Sequence, residues 1–136
     1  MKRKILILTA LVTITLCTYA QNWTNANLRA DGQYILGGVE ALYEKVTCGN
    51  EEYVLVKFIN HNSSKVSVEW IDAVYENGGW TYEKNNTLKT LILQPNQEIE
   101  GKCNEQGVLK IKISSIIDSP EKFEHYMVSG LNVKNI

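Results

Sequence analysis

Tyr53-Val54-Leu55-Val56-Lys57-Phe58-Ile59, then Asn60-His61-Asn62-Ser63-Ser64, then Val66-Ser67-Val68-Glu69-Trp70: this stretch decides the class of the chain. The first run is almost continuously apolar and rich in β-branched and aromatic residues, as a central strand covered on both faces requires. The polar run is a turn. The third run alternates, with Val66, Val68 and Trp70 set against Ser67 and Glu69, the pattern of a half-buried strand.

Working outward, the same signals repeat. Residues 73–76 read as a short strand leading into Asn77-Gly78-Gly79, whose Asn-Gly pair tolerates the positive φ angles of a tight hairpin. Trp80 and Tyr82 follow on one side of the next strand, with Thr81 and Glu83 on the other. Residues 88–93 form a strand stopped by Gln94-Pro95-Asn96. Ile99, Gly101 and Cys103 then alternate with Glu98, Glu100 and Lys102, and Leu109, Ile111 and Ile113 alternate with Lys110 and Lys112. Residues 114–122 read as a loop, and residues 123–133 as one strand or as two flanking Ser129-Gly130.

Upstream, residues 39–46 carry Val39, Leu42, Tyr43 and Val46 at helical spacing. A helix of about two turns is weak in isolation, and the segment runs into Cys48-Gly49 just before an evident strand. It is read as a strand. The expected fold is therefore all-β, a single antiparallel sandwich of about seven to nine short strands. Trp70 lies between Cys48 and Cys103, and in this the chain resembles an immunoglobulin domain in shape, where a bridge packs on a tryptophan. No tyrosine stands two residues before Cys103, so the resemblance is one of architecture.

The N-terminus has Lys2, Arg3 and Lys4, an apolar run from Ile5 to Cys17, and Thr18-Tyr19-Ala20. That is the layout of a secretory signal peptide, and the run is too short to span a membrane. Cleavage is expected after Ala20. The domains are then 1–20 leader, 21–38 an arm docking through Trp23 and the Tyr34-Ile35-Leu36 patch, and 39–136 the sandwich. Lipoprotein anchoring through Cys17 is disfavoured by Leu16, where a small residue belongs. The expected location is secreted or periplasmic, with no transmembrane segment in the mature chain.

Losing Lys2, Arg3 and Lys4 takes the formal charge from −1 to −4. No basic cluster remains to displace phosphate counterions, which argues against nucleic acid as a partner. Cys48 and Cys103 remain in an exporting context, where paired cysteines form a disulfide.

The sequence has no G-x-S-x-G, H-E-x-x-H, C-x-x-C or Gly-rich phosphate loop. No catalytic residue and no cofactor is expected. His61 falls in a polar turn, and His125 is expected at a surface or edge position. Glu98 and Glu100 on one strand face are a weak calcium candidate. The tentative ligand-binding residues are Trp70, Tyr75, Trp80 and Tyr82, since rings on a rigid hairpin stack on sugars or anchor a protein. Trp70 is also read as core, and Tyr75 as the first ring to be exposed. The expected function is that of a non-enzymatic exported domain binding or supporting a protein or polysaccharide partner at the cell envelope. The alternative is a small secreted hydrolase inhibitor acting through loops 60–65, 77–79 and 114–120.

Overall fold

The structure, a computed structural model, describes residues 22–28 and 32–136. The expected leader and Cys17 lie outside the described residues. The chain is all-β, with two antiparallel sheets. Its strands are β1 (Thr24–Asn25), β2 (Ile35–Leu36), β3 (Val39–Cys48), β4 (Glu51–Asn60), β5 (Val66–Glu76), β6 (Gly79–Tyr82), β7 (Lys89–Leu93), β8 (Glu98–Glu100), β9 (Lys110–Lys112) and β10 (His125–Asn135). The first sheet runs β1-β3-β4-β8, with β2 also on β3 and β9 also on β4. The second runs β10-β5-β6, with β7 also on β5. Among the described residues, no helix is long and apolar enough to cross a membrane.

Residues 39–46 are strand, as expected. They open the β3–β4 hairpin, in register from Val39↔Asn60 to Cys48↔Glu51 around Gly49-Asn50. Val39, Ala41 and Tyr43 point into the core at period two, which overrides the helical spacing. Val54, Leu55 and Val56 of β4 are all buried, as a strand covered on both faces demands.

β5 departs from expectation. Residues 66–70 and 73–76 are one unbroken strand, with Asp72 in its middle. The β5–β6 turn is as read: Asn77 has φ 47° and Gly78 φ 79°, the paired positive angles of a type I′ hairpin. The last strand is also single. A bulge shifts its register between Ser129 and Asn132, around Gly130 at φ 62°.

The N-terminal arm docks through its backbone. Ala26 N–H donates to the Ala41 carbonyl (2.9 Å), and the Ala26 carbonyl accepts from Val128 N–H (2.9 Å), so one buried residue ties β3 to β10. Lys57 Nζ lies 5.2 Å from the centroid of the Trp23 ring. The Tyr34-Ile35-Leu36 patch docks less than expected. Ile35 and Leu36 pair with Glu40 and Val39, yet Tyr34 and Ile35 stay exposed.

Side chains of both sheets share one core, with Phe58 of β4 against Trp70 of β5 at 4.8 Å between ring centroids. Ile113, read from sequence as the end of a strand, and Ile116 and Ile117, read as part of a plain loop, close it. Short 3-10 turns at Ile113–Ser115 and Pro120–Lys122 give this stretch its shape. Cys48 and Cys103 are bridged, with Cα atoms 5.4 Å apart. The bridge joins the end of β3 to the loop after β8, within the first sheet. An immunoglobulin bridge joins two sheets instead.

Gly101 marks a crowded point on β4. Its N–H donates to the Val56 carbonyl (2.9 Å), while Val56 N–H donates to the Leu109 carbonyl (2.9 Å). The chain leaving β8 and the chain entering β9 thus converge on one residue. A Cβ at Gly101 would overlap the Leu109 carbonyl, which is backbone and cannot swing aside. Gly101→Ala is expected to cost about 1–3 kcal/mol through overpacking, read as a lower urea midpoint with unchanged slope.

Candidate functional site

The Asn77-Gly78 turn fixes which residues of β5 and β6 stand opposite each other. Tyr75 faces Trp80, and Ala73 faces Tyr82. On the other side of β5, His125 faces Tyr75 and Met127 faces Ala73. Directly opposed residues share a sheet face, so Tyr75, Trp80, Tyr82, His125 and Met127 form one surface. Their strand-mates Val74, Asp72 and Trp70 take the opposite, core-facing side.

Three of the four expected ligand-binding residues therefore come together, and the fourth does not. Trp70 is 0% exposed. It cannot present its ring to a ligand, because it sits an odd number of residues from Tyr75 on the same strand. Tyr82 is 45% exposed, while Tyr75 and Trp80 are half-buried, so Tyr82 rather than Tyr75 is the most open ring.

The rings lock edge to face. Tyr75 and Trp80 lie 5.2 Å apart at 64°, and Trp80 and His125 lie 6.1 Å apart at 81°. Such contacts rigidify the surface. They also set Trp80 across the planes of Tyr75 and His125. His125 opens the edge strand β10, within the surface or edge position expected, but its ring is half-buried. Its ring packs 4.9 Å from Tyr43, its Nδ1 is buried without a hydrogen-bond partner, and burial pushes its pKa below the usual value. It is a neutral member of the aromatic cluster at pH 7.

The other candidates separate from this face. Glu98 is ion-paired with Lys57, which also stands opposite Glu100 in register. The Glu98 carboxylate is thus already served by an ammonium, and among the described residues no group of three or more His, Cys, Asp or Glu is arranged to hold a metal ion. Glu44, on β3, has its pKa raised by burial and by the Glu100 charge. His61 is half-exposed and pairs with Glu40 at 3.0 Å. The loop after Asn60 is pinned, because the Asn60 side-chain amide donates to the Ser64 carbonyl (3.0 Å) and the Gln94 carbonyl (2.9 Å). A cleft of about 220 Å³ opens beside Gly101, floored by Leu91, Ile99, Val108 and Leu109. It is smaller than the roughly 300 Å³ at which ligand pockets begin.

One group was not singled out from sequence. Asp72 is 1% exposed. Its Oδ1 accepts from Tyr126 O–H (2.6 Å) and from Trp70 Nε1–H (3.0 Å), and its Oδ2 is ion-paired with Lys89. The signal was a carboxylate in register with Val66, Val68, Trp70 and Val74, the apolar series of β5, which reads as a strand break until its partners are known. No family model, curated protein or solved structure matches the chain.

Proposed function

We propose that the chain is an exported, non-enzymatic domain that binds a protein partner at the cell envelope through the face of Tyr75, Trp80, Tyr82 and His125. Its two sheets are read as a single β-sandwich, immunoglobulin-like in shape. The shared core of Phe58 and Trp70 supports that reading. The Cys48–Cys103 bridge supports export, since disulfides persist in oxidising compartments.

The observation that carries the proposal is the clustering of Tyr75, Trp80 and Tyr82 on one solvent-side face, fixed by the hairpin register. Tryptophan and tyrosine are the residues that dominate protein interfaces, where rigid rings bury much area at little entropic cost. The crossed ring planes favour an irregular protein surface over a flat sugar chain.

Trp80→Ala combined with Tyr82→Ser is expected to keep the fold. It should weaken capture of an envelope protein by about 30-fold, the scale of a hot spot of roughly 2 kcal/mol. Affinity for the captured protein is measured with wild type and variant side by side. Unchanged affinity in a folded variant sinks the reading. A tryptophan fluorescence shift on adding cell-wall polysaccharide, lost in the variant, transfers the face to a sugar ligand.

A further inference from the structure

Lys89 stands opposite Trp70 in the β5–β7 register, and Asp72 is two residues along β5 on the same face. The lysine side chain therefore runs inward and diagonally onto the carboxylate. Tyr126, opposite Val74 on β10, reaches the same carboxylate from the other neighbouring strand. The Lys89 side chain is 19% exposed and that of Asp72 1%. A buried ion pair is an expensive arrangement, because desolvating both charges offsets their attraction.

We propose that Lys89 and Asp72 condense into an intramolecular amide that covalently joins β7 to β5. The atoms for each step are in place. Oδ2 touches the Lys89 ammonium and, among the described residues, accepts no aligned hydrogen bond. Transfer of one proton from Nζ to the touching Oδ2 turns the ammonium into an amine nucleophile and Oδ2 into a hydroxyl leaving group. Nζ then adds to Cγ, and charge gathers on Oδ1. Oδ1 already holds two donors, Trp70 Nε1–H and Tyr126 O–H, aimed at the position where that charge develops. The Cγ–Oδ2 bond breaks, and Oδ2 leaves as water with the transferred proton and one further proton from Nζ. No oxidant or other reactant is consumed. Tyr126 keeps its proton for this role, because burial and then the Asp72 charge push its pKa well up.

Intact-mass measurement of the purified, folded chain decides the matter. The expected mass is one water below the value calculated with the Cys48–Cys103 bridge formed. Tryptic mapping should find a branched peptide joining the Asp72 and Lys89 segments, with no cleavage after Lys89. Lys89→Arg should restore the lost water, and Tyr126→Phe should lower the cross-linked fraction severalfold. Folded wild-type protein at full calculated mass overturns the proposal. So does a water loss confined to a single unbranched peptide, the signature of a cyclic imide at Asp72.

Discussion

Trp70→Ala is expected to cost about 3–5 kcal/mol of stability, a large share of the roughly 5–15 kcal/mol available to a small domain. Two losses combine. The indole fills the space against Phe58 at the centre of the shared core, so its removal leaves a cavity. Its Nε1–H also serves the buried Asp72 carboxylate, which would be left with Tyr126 and Lys89 alone. Urea denaturation should show a much lower midpoint, while any folded fraction keeps its partner affinity. Trp70→Phe weighs the losses differently, since it keeps a ring against Phe58 and gives up the donor with only part of the volume. A Trp70→Ala protein as stable as wild type would mean that the two sheets do not depend on this contact.

Removing the bridge with Cys48→Ser and Cys103→Ser is expected to cost about 2–5 kcal/mol. The cysteines are 55 residues apart in sequence, and the closed loop contains β4 through β8. Without the bridge the unfolded chain regains the freedom of that long loop. The bridge lies on the first sheet and the aromatic face on the second, so the double variant should lose stability and keep its binding affinity. Thermal melts of wild type with and without reductant should reproduce the difference, because Cys103 is exposed. Equal melting in both conditions would show that the bridge constrains nothing the fold needs.

Much of this architecture is local and therefore readable along the chain. The Val54–Phe58 run, the Asn77-Gly78 turn and the alternation from Val66 to Trp70 each report backbone preference and burial within a few residues, whereas the alternation read from Ile99 to Cys103 stops as strand at Glu100. Two misreadings have one physical cause. Ile71-Asp72 broke the alternation, so β5 was divided, and with it went the knowledge that Trp70 and Tyr75 lie on a single strand. Once they do, their odd spacing places them on opposite faces. The N-terminal patch misled differently. Tyr34 and Ile35 are apolar enough to suggest docking, but the arm is held by the backbone of Ala26, which leaves no mark in hydropathy.

What the sequence determined by itself was the all-β class, the tight turn and the pair of cysteines able to meet, because these follow from side-chain period, turn chemistry and residue type. What the tertiary structure alone decided was which partners each strand found. Lys89 from β7 and Tyr126 from β10 make a carboxylate tolerable inside β5, and the register set by Asn77-Gly78 gathers Tyr75, Trp80 and Tyr82 on the outer face. Both depend on contacts between residues distant along the chain, which no local pattern encodes.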